Sequence, residues 1–434
     1  MLAPPRFMKF LSYMTGWLTV IGWQSALASA AFIAGTQIQG VARLAHSHYD
    51  LQAWHGTFIM WAATLMALGV NLAGGKLLPR LEIVILVFHI LGFFAILIPL
   101  TYMAEHKSTH DVFLEFANGG GFPSRGLSWF VGIKGVVFAF AGGDAAVHMA
   151  EEVRNASVAI PRATMLSVLI NGSLGFGMLI AVLFCLGDLD AALATPTGYP
   201  YMEIFYQATD SVSGALGMIS IIVIIGLCTP IALLAATSRQ FWSFARDRAV
   251  PGWRIWSQVS HINQLPTYSI LLTTSVTCAL GLINIGSSVA LNGIISMAVS
   301  GVYLSYLTVG VLLLWRRCTG AITLTPPLPT FTPEQPDPDP IVLVNVNVPG
   351  AKLVWGPFHV PGIWGIAINA YAVVFMIIVV FFSFWPSTYS GVTEKTMNFS
   401  VVGTVGTVIL AVLYYVVRAR RVYQGPVMEV RVEG

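Results

Sequence analysis

About ten stretches of roughly 20 mostly apolar residues follow one another along this chain, and that rhythm admits few folds. A helix of that length spans the roughly 30 Å of hydrocarbon in a bilayer. With no water there to bond stray amides and carbonyls, the backbone has to satisfy itself, which for runs this long means helices. The runs lie near residues 11–38, 55–72, 83–102, 128–149, 164–186, 216–237, 268–285, 289–315, 363–385 and 399–417. The first is too long, and too closely followed by others, for a cleaved signal peptide. Composition agrees: only 9% of the 434 residues are charged and mean hydropathy is +0.76, against about 25% charged in a soluble domain. This excludes an ordinary soluble enzyme, and a net charge of +3 gives no reason to expect nucleic acid as a partner. Cys185, Cys228, Cys278 and Cys318 have no spacing that reads as a zinc site or disulfide framework. The fold class is an all-α polytopic membrane protein, one integral-membrane domain over 1–434.

The few charges orient it. With the start of the chain on one side, that side receives Arg6, Lys9, Lys76, Arg80, Arg154, Arg162, Arg239, Arg246, Arg248, Arg254, Arg316, Arg317, Lys352, Arg418, Arg420, Arg421 and Arg431. The other receives Arg43, Lys107, Arg125 and Lys395, while Lys134 sits within a span and reaches for the headgroups. Cationic loops stay in the cytosol, so both termini are expected there. The loop 187–214 carries Asp188, Asp190, Glu203 and Asp210 without a cation, as the opposite face allows. The basic segment 239–266 is expected to form a short amphipathic helix along the headgroups. The Pro-rich segment 316–361 is expected to be a flexible cytosolic excursion. Its IVLVNVNV stretch alternates like a strand but is too isolated to build a sheet.

The fourth run is the least uniform. In VVFAFAGGDAAVHMAEE, which starts at Val136, Gly142 and Gly143 precede Asp144 inside an apolar helix. Each glycine weakens a helix by about 1 kcal/mol relative to alanine. An ionisable group inside the bilayer costs roughly 2.5–3.5 kcal/mol on insertion scales. Irregular backbone at that depth survives where it lines a cavity, and broken helices of this kind form the substrate sites of secondary transporters. The alternative is close helix packing at the glycines, with Asp144 bonded to a neighbour.

AGGDAAVHMAEE with RNASVAIPRA, GWLTVIGWQ from Gly16, SRQFWSFARDRAVPGW from Ser238 and WGPFHVPGIWGIAINA from Trp355 together resemble fungal permeases. The family is the GABA-permease and choline-transporter branch of the amino acid–polyamine–organocation superfamily. The resemblance covers nearly the whole chain. It implies a five-plus-five inverted-repeat (LeuT-like) fold of twelve helices, with a site between the unwound first and sixth. The ten runs resemble helices three to twelve. The opening pair is therefore expected upstream of Met1, in a gene whose start is drawn too late.

Within that frame Phe138 and Phe140 either close over a bound amine or pack against lipid and protein. The resemblance places Trp23, Gln24, Pro230, Met297 and Ser300 on helices that wall the cavity, where they either face it or pack against neighbouring helices. His148 follows Asp144 by one turn. Glu151 and Glu152 at the helix exit can carry protons, or pair with Arg239 or Arg246 as a latch shut in one transport state. His89, midway along the third run, is a second proton-relay candidate or a histidine bonded between helices. The cluster His46, His48 and Asp50 reads as solvated surface. The sequons at Asn155 and Asn398 fall in the cytosol and against a helix end. No phosphate-binding glycine loop, zinc-protease motif or nucleophile elbow appears. This points to a carrier, not an enzyme, needing no cofactor and driven by a proton gradient. The expected function is import of a small amine-containing solute, an amino acid or GABA, with choline as the alternative. A non-transporting sensor or scaffold is the rival from another class.

Overall fold

The computed structural model describes residues 1–73, 77–261, 264–286, 288–324, 353–393 and 397–426. Its main helices are α1 (Pro5–Ala45), α2 (Ala53–Ala73), α3 (Leu77–Met103), α4 (Arg125–Ala139) and α5 (Ala156–Phe184). They continue with α6 (Val212–Arg246), α7 (Thr267–Gly281), α8 (Ser288–Cys318), α9 (Gly362–Ser383) and α10 (Ser400–Tyr414). Among the described residues nine helices are long and apolar enough to cross a membrane. The fourth run is not one of them, because a turn after Ala139 divides it into two short pieces. Long helices, with a single two-residue strand pairing among the described residues, make the protein an all-α polytopic membrane protein.

α1 is the hub. At 41 residues it is roughly 60 Å long. It packs most extensively on α8, then on α6, α2 and α7. Two-thirds of its most apolar stretch is buried, against 6% for α5, whose side chains face outward. The close approach to α8 depends on missing side chains. A Cβ on Gly22 would sit 2.6 Å from the Val302 amide nitrogen, and one on Gly301 would sit 2.8 Å from the Gly22 Cα. Small residues let helix backbones meet where lipid offers no hydrophobic drive for association.

Polar side chains fasten the same core. Gln24 Nε2 donates to Thr277 Oγ1 at 2.8 Å and to the Thr273 carbonyl at 3.2 Å. Asn71 Nδ2 donates to the Ile231 carbonyl at 3.0 Å, and Thr57 Oγ1 to the Gly281 carbonyl at 3.2 Å. Both ends of the described chain meet at one end of the bundle. There Arg316 Nε donates to the Leu2 carbonyl at 2.7 Å, Lys9 Nζ to the Arg420 carbonyl at 2.6 Å, and Tyr423 OH to Ser12 Oγ at 2.9 Å.

One loop expectation needs correction. Residues 239–246 continue α6 without interruption, because Phe244 and Ala245 are buried core residues that extend its apolar face. Only Trp253–Trp256 forms a separate short helix. The acidic loop also folds, into Leu189–Leu193 and Pro200–Thr209. Met202 and Phe205 of the second helix join Ile96, Leu100 and Met218 in a core cluster. Most of the Pro-rich segment, including IVLVNVNV, lies outside the described residues, as do Lys76, Lys352, Lys395 and Arg431. Its flanks pair as parallel strands, Ile322–Thr323 with Leu353–Val354.

Candidate functional site at the broken span

After Ala139 the backbone leaves the α-helix. Phe140 and Ala141 amides reach back only three residues, to Val137 and Phe138 carbonyls at 3.2 and 3.0 Å. Gly142 turns to φ +94°, a conformation that L side chains rarely adopt and glycine enters freely. A 3₁₀ helix, Ala145–Glu152, then resumes toward the termini-bearing end. Asp144 occupies its N-cap position, yet its carboxylate caps no backbone amide. The side chain is left available for something else.

A cavity of about 700 Å³ opens beside this break, within the size range of small-molecule sites. α1 contributes Trp23 and Gln37, and the broken span Phe138, Phe140, Gly142 and Asp144. α6 contributes Thr229, α8 Tyr303 and Tyr306, and α9 Tyr371 and Phe375. Among the described residues no lysine or arginine lines it. At its floor Asp144 Oδ2 lies 3.9 Å from His148 Nε2, beyond hydrogen-bond reach. The His148 ring stands edge-on to Trp23 with centroids 4.6 Å apart. Asp144 Oδ2, His148 Nε2 and Trp23 Nε1 are all buried, and none has a hydrogen-bond partner. Buried polar atoms are otherwise almost always paired.

Beyond this floor lies a vestibule of about 960 Å³ at the termini-bearing end, which His148 lines from the far side with Glu151, Glu152, Arg239 and Gln240. Arg239 is nearly buried, pairs through Nε with Glu152 and donates from Nη1 to the Ala235 carbonyl at 3.3 Å. Arg246 grips Glu151 with two bonds, at 2.7 and 3.0 Å, and lies over the Trp242 ring at 4.8 Å. Bidentate guanidinium–carboxylate geometry is the strong form of this contact. Together the two pairs tie the 3₁₀ helix to the end of α6. A third cavity, about 600 Å³, lies on the opposite side of the break, where His89 of α3 meets Ser167 and Asn171 of α5.

The break therefore brings Trp23, Phe138, Phe140, Gly142 and Asp144 to one cavity, with His148 beneath it. Gly143 faces the third cavity, not the central one, and His89 shares that wall. Four expected wall residues lie elsewhere. Gln24 turns to α7. Ser300 bonds Thr404 at 3.0 Å in the α8–α10 contact. Met297 fills the space above Gly403, whose Cβ would come within 2.3 Å of its sulfur. Pro230 is buried in α6 without lining the cavity. Reading the sequence missed Gln37, Tyr303, Tyr306 and Tyr371. An amide in an apolar span and two tyrosines three residues apart on α8 were the available signals.

The sequence comparisons agree with this architecture. The amino acid permease family matches residues 3–408. The chain belongs to that family. A Macrophomina phaseolina protein named for amino acid/polyamine transport is 34% identical over 306 residues, 70% of this permease and 67% of the relative. The choline transporter of Saccharomyces cerevisiae is 29% identical over 425 residues, 97% of this permease and 69% of its own length. The amino-acid permease BAT1 of Arabidopsis thaliana is 25% identical over 453 residues, covering 99% and 80%. The permease is thus an integral membrane protein that carries small solutes.

Proposed function

We propose that this permease imports a small amine-containing solute, an amino acid or GABA, across the plasma membrane together with protons, by alternating access. Both termini and the vestibule face the cytosol, the side that takes the excess of Lys and Arg. The observation that carries the reading is Asp144, whose buried Oδ2 has no hydrogen-bond partner at the floor of an aromatic-walled cavity. Such a carboxylate costs free energy until a cation neutralises it. An ammonium group supplies the charge and the hydrogen-bond donors. Phe138, Phe140 and the tyrosines offer π faces, worth about 0.5–2 kcal/mol to a nearby cation.

Alternating access then has a physical basis in the same span. The floor separates the central cavity from the vestibule, and Glu151–Arg246 and Glu152–Arg239 hold that floor to α6. Parting these pairs would connect the two cavities, and a solute binding one arrangement better shifts the balance between them. The aromatic wall and the yeast choline transporter's similarity favour choline as the alternative solute. A quaternary ammonium takes no hydrogen bond and depends more on such a cage.

Uptake of radiolabelled alanine, GABA and choline, in cells lacking their own permeases, tests the reading. Wild type should take up at least one of them, and Asp144→Asn should abolish uptake at unchanged surface expression. Undiminished transport by D144N would remove the carboxylate from the mechanism.

A further inference from the structure

We infer that the seam between the central cavity and the vestibule recognises a zwitterion, with His148 serving, once protonated, as the partner of the solute's carboxylate. The inference rests on the proposed amine transport and adds the other half of the solute. Three buried atoms without partners converge there: one acceptor, Asp144 Oδ2, and two nitrogens, Trp23 Nε1 and His148 Nε2. The indole N–H only donates, and the imidazole nitrogen donates when the ring carries a second proton. An ammonium needs the acceptor and a carboxylate needs the donors. The 3.9 Å between Asp144 Oδ2 and His148 Nε2 is too long for a direct bond, so each atom keeps its hydrogen-bonding capacity for a solute.

Among the described residues, no lysine or arginine on the cavity lining competes for the role. A solute carboxylate entering the central cavity thus meets no permanent positive charge from them. Of the elements packed on the 3₁₀ helix, α6 presents Arg239 and Arg246, already matched by Glu152 and Glu151. α5 carries Arg162 as its sole charged residue and brings no acid. α1 presents Trp23, which does not titrate. α8 places Tyr303 on the cavity wall that Asp144 also lines. Histidine is the side chain that gains a proton most readily when an anion comes to lie beside it, as a solute carboxylate would here. Site and coupling thus become one event. The solute's ammonium neutralises Asp144, its carboxylate stabilises protonated His148, and solute and proton bind together. By linkage each raises the other's affinity by the same factor. A choline-like cation has no carboxylate to offer, so protonated His148 repels it and pairs with Asp144 instead.

The opposed signs provide the test. The protein, in proteoliposomes at clamped voltage with pH equal on both sides, is assayed for KM between pH 8 and 5. For alanine and GABA KM should fall with pH, by up to about tenfold per unit where His148 titrates. For choline it should rise. His148→Gln and His148→Asn, chosen in parallel against a packing defect in either, should both flatten these slopes. Trp23→Phe, which removes the N–H together with part of the ring, should raise KM for alanine by about tenfold, and by more than for choline, which loses only the packing. A wild-type alanine KM that does not fall, or slopes that persist in the His148 variants, overturns the inference. If those slopes persist while D144N abolishes uptake, amine transport stands and only the zwitterion site is lost. If wild type carries none of the three solutes, the functional reading fails and this inference with it.

Discussion

The α1–α8 contact and the broken fourth span treat polar and small residues in opposite ways. Along α1 and its neighbours, side chains such as Gln24, Thr57 and Asn71 find partners on adjacent helices. Gly22 and Gly301 close the backbones together. At the break, glycine opens the backbone instead, and Asp144, His148 and Trp23 keep polar atoms that no neighbour satisfies. Satisfied polar groups make a frame of defined geometry. Unsatisfied ones keep a debt of desolvation, which a bound solute can settle. The same residue types thus mark scaffold or site according to whether the protein completes their bonds itself.

Breaking the frame should produce the largest effect. Gly22→Val places a branched side chain where even a Cβ would meet the Val302 amide at 2.6 Å. The obstacle is backbone, which no rotamer change can clear. Overpacking commonly costs about 1–3 kcal/mol, and here it would wedge apart the most extensive helix contact in the protein. Loss of the monodisperse peak in detergent size-exclusion chromatography is the expected result. A G22V protein that stays folded with its Tm intact would show that α1 and α8 need not approach so closely.

Breaking the site should spare the fold. Asp144→Asn keeps the shape of a side chain that makes no internal hydrogen bond from Oδ2, so Tm should hold or rise slightly while uptake drops at least a hundredfold. A hundredfold corresponds to about 2.7 kcal/mol, within reach of one buried charge-assisted bond. A large fall in Tm would instead place Asp144 with the scaffold.

That contrast also explains how much was legible in the sequence. The spans announced themselves through apolar run length. The break did so through Gly142-Gly143-Asp144, because a carboxylate and two glycines are expensive in an apolar helix. The direction each helix faces was far less visible. Gln24, Met297 and Ser300 look like wall residues in a one-dimensional stripe, yet each packs on a neighbouring helix. Gln37 and Tyr303 look no different and do face the cavity. Nothing in a uniformly apolar span tells a lumen face from a helix contact, since lipid removes the polar side that orients a soluble helix. The end of α6 was missed for a related reason. The basic residues after Ser238 suggested a separate surface helix, while buried Phe244 and Ala245 carry the span onward.

The latch pairs sharpen the comparison at smaller scale, because one is part frame and the other is surface. Arg239 is 7% exposed and Glu152 57%. Glu152→Gln leaves the guanidinium buried with the Ala235 carbonyl but without its counter-charge. Full burial of both partners would make that loss severe. Solvent around Glu152 reduces it to about 1–2 kcal/mol, seen as a Tm lower by a few degrees with little relief from salt. A loss indistinguishable from zero would show that water reaches Arg239.

Glu151→Gln should have the smallest effect. Arg246 is 17% exposed and its partner 56%, and the guanidinium keeps its place over Trp242 when the carboxylate charge is gone. Exposed pairs contribute about 0.2–1 kcal/mol. A double-mutant cycle with Arg246→Gln should return a coupling in that range, shrinking as salt rises from about 0.05 to 0.5 M, since the Debye length contracts severalfold. The two carboxylates adjoin in sequence and hold the same 3₁₀ helix to the same end of α6. Their ranking therefore sets burial of Arg239 against the bidentate geometry of Arg246. If E151Q cost as much as E152Q, the latch would have to draw its strength from bidentate geometry, and desolvation would lose its place as what distinguishes frame from site.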